Sequence, residues 1–305
     1  MEWHILGQQL VNGVSLGSIY GLIAIGYTMV YGIIGMINFA HGDIYMVSAY
    51  ITAIAFAVIT FLGVDAVALS LVLTLVVTMS ITGLYGWYIE RTVYRPLRTS
   101  NRLAPLITAI GVSLLLQNYI QISQGPNVQG VPSLFSGGFT IGTADEFFRI
   151  RYMDLIIVTV SLSAMMLLTF IIQKTSLGRQ CRAVEQDRKM ATILGINTGR
   201  IISTVFVIGS MMAAVAGELV TFNYGSFDFY IGFVLGIKAF SAAVLGGIGS
   251  LPGAMLGGML LGVLESFFSG FVSSDYKDVF SFSILVLVLV FKPSGLLGRP
   301  AVEKV

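Results

Sequence analysis

The chain has 305 residues, 56% of them hydrophobic and only 10% charged, with 17 Lys and Arg against 15 Asp and Glu. Soluble domains carry about 25% charged residues, so this composition cannot cover a water-facing surface and all but excludes a soluble globular enzyme. The formal net charge of +2, spread over scattered bases, argues against nucleic acid, and the single cysteine, Cys181, excludes an internal disulfide or a cysteine-based metal cluster.

A mean hydropathy of +0.88 directs attention to membrane-spanning runs, each needing about 20 mostly apolar residues. Candidates fall at 6–34, 44–63, 66–89, 103–122, 153–172, 201–222, 231–249, 254–270 and 279–292. The predicted fold is an all-α, polytopic transmembrane helical bundle of about 8–10 membrane segments. The last three runs are short or glycine-interrupted, so some segments are expected to be broken or re-entrant. No long soluble stretch interrupts 1–305, which reads as one membrane domain. The first run is too long for a cleaved signal peptide and no basic stretch precedes it, so it is expected to be a retained helix.

Within that first run, Gly13-Val14-Ser15-Leu16-Gly17 matches the hydrolase nucleophile-elbow pattern. That motif needs a strand before it, and here it opens an apolar helix in a chain with two histidines. Where the run ends, Asn38-Phe39-Ala40-His41-Gly42-Asp43 turns polar. Two readings stand: an ordinary loop with Asn38 or Asp43 as a helix cap, or a broken helix whose free backbone groups meet a polar substrate. Asn38, Phe39 and His41 are the candidate pathway residues of this segment.

Lys and Arg set the orientation. Arg91, Arg95, Arg98 and Arg102 follow the third run, Lys174 through Arg200 fill the loop after the fifth, and Lys292, Arg299 and Lys304 mark the tail. Alternating spans place all of these on one side, predicting a cytoplasmic C-terminus and a periplasmic N-terminus.

The polar loop 173–200 carries a stretch from about Ala183 to Leu194 that lacks Gly and Pro, with Gly195 where a helix commonly ends. Its spacing predicts one short amphipathic helix with Met190, Ile193 and Leu194 on the apolar face. Such a helix either docks in a groove on a soluble partner or lies on anionic lipid headgroups.

Charges inside apolar runs are expensive. Glu218, Lys238 and Glu265 are expected in one layer, forming a buried ion-pair group or, for Lys238 and Glu265, a part of the substrate pathway. Gly249, Gly253 and Gly257 repeat every four residues, with Gly258 and Gly262 beside them. That spacing brings helix backbones close, within this chain or against a second subunit, and Pro252 is expected to break or kink the run. No Gly-Lys-Ser or Gly-Lys-Thr is present, so there is no P-loop for nucleotide. His4 and His41 lie far apart, without metal-ligand spacing.

An ordered set of segments resembles a known family: Tyr31-Gly32-Ile33-Ile34-Gly35-Met36-Ile37-Asn38-Phe39-Ala40-His41-Gly42, then Arg182-Ala183, Leu194-Gly195-Ile196-Asn197, Lys238-Ala239-Phe240, Leu245-Gly246-Gly247-Ile248-Gly249-Ser250 and Pro252-Gly253-Ala254. Together, over essentially the whole chain, they resemble permease subunits of bacterial high-affinity branched-chain amino acid ABC importers (LivH type). The resemblance implies an inner-membrane pathway for Leu, Ile and Val and no enzymatic activity of its own. It implies a second homologous permease, two ATP-binding cassette subunits that bind the ATP, and a periplasmic substrate-binding protein meeting parts of 123–152 and 223–230. No cofactor or metal is implied for this chain, whose other surroundings are the lipid bilayer. The loop matching 183–197 becomes the coupling helix gripped by an ATPase subunit, with Glu185, Arg188, Met190, Ile193, Leu194 and Gly195 as its candidate contacts. The common Glu-Ala-Ala pattern is not kept: Gln186 and Asp187 follow Glu185, and Gly195 lies later than usual. The alternative is a stand-alone secondary transporter or channel, distinguished by independence from partner subunits.

Overall fold

The computed structural model describes residues 3–36, 38–100, 103–132, 134–135, 137–142 and 147–298. Arg102, Arg299 and Lys304, and with them the expected position of the C-terminus, lie outside the described residues. The first four apolar helices are α1 (Trp3–Ile34), α2 (His41–Phe61), α3 (Val67–Ile89) and α4 (Leu103–Gln124). A π-helical turn, Glu90–Tyr94, extends α3. After a short ladder strand β1 (Gln129–Gly130) and a hairpin of β2 (Gly138–Gly142) with β3 (Phe147–Arg151), α5 runs Tyr152–Lys174. Two short helices, α6 (Ser176–Gln186) and α7 (Arg188–Ile193), lead to α8 (Thr198–Tyr224), β4 (Ser226–Phe227), α9 (Ile231–Gly246), α10 (Leu251–Phe271) and α11 (Lys277–Phe291). Seven of the helices are long and apolar enough to cross a membrane, while α9 has only 16 residues and α11 only 15.

Two quartets, α1–α4 and α8–α11, pack as inverted copies. α1 lies along α10 as α8 lies along α3, α9 leans on α1 as α2 leans on α8, and α2 meets α9 near the centre. α1 and α8 are the two buried helices of this arrangement.

The α1–α10 contact is backbone on backbone. Gly13, Gly17 and Gly21 of α1 face Gly258 and Gly262 of α10, and a Cβ on Gly262 would fall 2.3 Å from the Gly17 Cα. Ser15, between those glycines, hydrogen-bonds Asp154 at 3.2 Å and packs in helix, not at a strand-to-helix turn. Gly253 and Gly257 occupy the other side of α10, against Gly246 of α9. The glycine pattern therefore joins helices of one chain. Gly249 is the exception to the expected packing stripe: its φ of +97° and open surroundings place it in the turn between α9 and α10, a conformation that favours glycine. Pro252 lies in the first turn of α10, where a missing N–H costs nothing, so it starts that helix instead of kinking it.

The single helix expected over 183–194 is two helices. Asp187 adopts an extended backbone and its carboxylate accepts from the N–H groups of Lys189 at 2.8 Å and Met190 at 3.1 Å. An Asp with free N–H groups two and three residues on forms a helix N-cap, and that local bond outweighs continuing α6. Gly195, at φ +83°, ends α7 as expected.

Because a side chain at Gly17 or Gly262 must push two backbones apart, Gly17→Leu and Gly262→Val are expected to destabilise by about 1–3 kcal/mol or more. Gly111, with nothing near its would-be Cβ, is the control: Gly111→Ala should match or slightly raise the melting temperature in detergent.

Candidate translocation site and coupling loop

The chain does not leave the bundle cleanly after α1. Gly35, at φ +71°, turns it back, and the following link returns inside, so that α2 begins deep among other helices. His41 stacks edge-on with Tyr27 at 4.8 Å and lies against Gly26, which precedes the end of α1 by about two turns, roughly 12 Å. Neither Asn38 nor Asp43 caps α2, whose N-cap is Ala40 with no side-chain bond, and the helix begins with His41, Gly42 and Asp43 buried.

A second half-helix meets it. A Cβ on Gly42 of α2 would touch the Gly232 carbonyl at 2.3 Å, and Gly236 lies beside the same residue. The N-terminal turns of α2 and α9 thus overlap inside the bundle, where first-turn N–H groups lack intrahelical partners. Phe39 packs on Phe240 of α9 at 6.0 Å. Asp43 accepts from Gln117 of α4 at 2.9 Å, and Asn38 accepts from the Tyr94 hydroxyl at 2.5 Å. Among the described residues, Asn38 Nδ2, His41 Nε2 and Asp43 Oδ2 have no hydrogen-bond partner. Asn38, Phe39 and His41 therefore share one neighbourhood, and it is not shared with Glu265.

Lys238 and Glu265 form a separate cluster. The Lys238 ammonium lies 2.6 Å from Glu265 and 2.5 Å from Asp278 of α11, with the Lys238 and Glu265 side chains 4% and 3% exposed. Tyr20 and Ser281 donate to Glu265 Oε2 at 3.1 and 2.8 Å. One cation between two carboxylates, with two hydroxyls satisfying the remaining lone pairs, is a stable way to bury charge. A polar cavity of about 450 Å³ adjoins it, bordered by Asn12, Arg151, Tyr224, Glu265 and Lys277. Glu218, expected as the third member, belongs elsewhere: it faces α3 and α5 from the opposite side of α8 and has no ionic partner among the described residues. Asp278 replaces it. The sequence carries a signal for this, an acid immediately before the final apolar run 279–292, but depth along separate helices does not say which helices touch.

At the basic end, buried Glu90 in the π turn pairs with Arg98 and accepts from Ser203 of α8 at 2.5 Å. Arg188 of α7 turns inward and donates to the Ile33 carbonyl at 2.8 Å, in the unsatisfied last turn of α1. Burial lowers the Arg188 pKa from its ordinary value, with Arg98 lowering it further. Met190, Ile193 and Leu194 point the other way, 54%, 78% and 73% exposed. Glu185 sits near Gly32. At the hairpin end, β1 pairs with β4, Gln129 with Phe227 and Gly130 with Ser226.

With this geometry in place, the profile of the permease component of branched-chain amino acid transport systems matches residues 9–289. The chain belongs to that family. It is 52% identical over 299 residues to the high-affinity branched-chain amino acid transport system permease protein LivH of Escherichia coli K12, covering 98% of this chain and 97% of the relative. Identity to BraD of Pseudomonas aeruginosa is 52% over 304 residues, 99% of both chains. LivM of Salmonella typhimurium is a more distant permease of the same system, 28% identical over 94% of this chain and 69% of its own length. Family membership makes the chain a multi-pass membrane transport subunit and not an enzyme, and its apolar bundle is the membrane domain.

Removing one member of a buried charge cluster leaves the rest uncompensated, at about 3–5 kcal/mol. Lys238→Met is expected to lower the melting temperature sharply, and adding Glu265→Gln to recover part of the loss. Asp278, 44% exposed, should contribute less than about 1 kcal/mol, so Asp278→Asn melts near the parent.

Proposed function

We propose that this chain is an inner-membrane permease subunit of an ABC importer, carrying leucine, isoleucine and valine through a pathway completed by a second permease like LivM. In this reading two ATP-binding cassette subunits bind the ATP and a periplasmic substrate-binding protein delivers the amino acid. The hairpin end, with the joined 123–152 and 223–230 surface, faces the periplasm, and the basic end with α6 and α7 faces the cytoplasm, in accord with the excess of Lys and Arg there. The relatives' names support the substrate class.

The observation that carries the dependence on an ATPase is the apolar triplet on α7. Three large hydrophobic side chains left exposed on a helix ringed by Arg and Lys match a helix that inserts into a partner's groove. Arg188 then serves differently from the other candidate contacts: its head group ties α7 to the end of α1. ATP-driven movement of α7 would pull on Ile33 and so on the link that leads to the half-helix α2. In this reading the pathway runs where the first turns of α2 and α9 overlap, because the unpartnered side-chain atoms of Asn38 and His41 offer polar contacts in an apolar medium.

Met190→Asp combined with Leu194→Asp is expected to cut ATP-driven leucine uptake into vesicles at least tenfold, with leucine capture by the binding protein unchanged. Normal uptake in that variant, or uptake by the purified chain without ATPase subunits, would reverse this reading in favour of a stand-alone carrier.

A further inference from the structure

Glu218 is buried without a counterion at the floor of an apolar cavity. The residue is 6% exposed, and its Oε2 has no hydrogen-bond partner among the described residues. The cavity, about 160 Å³, opens between α3 and α5 over α8, and its other walls are hydrocarbon: Leu71, Leu75, Val160, Val215 and, from the 123–152 stretch, Phe135. Other buried carboxylates each have at least one polar partner: Glu265 has Lys238, Tyr20 and Ser281, Asp154 has Arg151 and Ser15, and Asp43 has Gln117. A leucine in place of Glu218 would fill the space and remove the cost of a membrane-buried acid, so the acid calls for a ligand.

We infer that this cavity is a binding site for a primary ammonium carrying a compact branched hydrocarbon, the form in which leucine, isoleucine or valine presents itself, with Glu218 receiving the ammonium. Three features select that class. The only charged group offered is anionic, so the charge it takes is cationic. Among the described residues the remaining walls carry no polar side chain, which disfavours sugars, amides and charged side chains. The volume is close to the roughly 150 Å³ of a cavity that holds benzene, enough for a four- or five-carbon group. The amino acid's carboxylate is left toward the hairpin end, where Met153 in the first turn of α5 also borders the cavity. Phe135 connects the site to the surface proposed to face the binding protein. The site lies on the other face of α8 from the Lys238 cluster and is a separate station, taken up before the substrate reaches the half-helices. This assignment rests on the substrate class proposed above.

The single native cysteine makes the test direct. Burial, and Glu185 after it, push the Cys181 thiol up to about 11, so it is a poor nucleophile near neutral pH, and Cys181→Ala removes it altogether. Leu75→Cys in that background, in the assembled transporter in lipid nanodiscs, is modified with a methanethiosulfonate reagent and read by the intact mass of this chain. Leucine is expected to slow modification at least fivefold, and 4-methyl-2-oxopentanoate, which lacks the ammonium, is not. Glu218→Gln should abolish the protection and Glu218→Asp should keep part of it. No protection by leucine, equal protection by the oxo acid, or protection that survives Glu218→Gln in a folded, monodisperse sample would overturn the site. ATP-driven leucine uptake by the Leu75→Cys transporter is measured alongside: uptake without protection refutes the site alone, and absence of uptake in the parent complex refutes the substrate class.

Discussion

Contact between two backbones, α1 against α10 through Gly13, Gly17, Gly21, Gly258 and Gly262, is the constraint on which the architecture rests. In lipid there is little hydrophobic gain from bringing apolar helices together, so association depends on close packing and interhelical bonds. Glycine seams supply the packing: they allow α1 to be surrounded by α10, α8, α9 and α5 at once. Its mirror, α8, is enclosed by α3, α2 and α1, with Gly209 opposite Gly26 and Gly217 opposite Ser48. Two largely enclosed helices then leave room at the centre for the first turns of α2 and α9 to meet.

The half-helices change what the interior offers chemically. An apolar bundle satisfies its backbone by running helices from one face to the other. Beginning α2 and α9 inside it exposes two sets of first-turn N–H groups to protein instead of lipid, and the glycines at 42, 232 and 236 let those turns touch. Polar side chains gather where this happens: Asp43 with Gln117, Asn38 with Tyr94, His41 beside Tyr27. The Lys238 ammonium, between Glu265 and Asp278, fastens α9, α10 and α11 together.

The basic end joins this interior to the surface by few bonds. Arg188 reaches from α7 to the last turn of α1, Tyr94 reaches from the π turn to Asn38, and Glu90 links that turn to α8. α7 thus has one side bonded to the bundle and the other apolar and exposed. The break at Asp187 sharpens this, since it separates α6, packed through Cys181 and Val184, from α7, which stands out.

Composition and run length by themselves determined the membrane class, the approximate limits of nearly every apolar helix and the asymmetric charge of the two ends. These follow from how much hydrocarbon each residue presents, a property that needs no neighbours. The ordered motifs pointed to the family, and the early polar segment and the four-residue glycine spacing marked places where something other than a plain span occurs. Tertiary structure alone decided who meets whom. Asp278, not Glu218, completes the Lys238 cluster; Gly249 turns the chain while Gly258 and Gly262 meet a glycine row in α1 that had gone unremarked; Arg188 faces inward and Met190 outward. Each of these depends on rotation and depth of one helix relative to another, and residues separated by 245 positions, as Tyr20 and Glu265 are, share no local pattern from which their contact could be read.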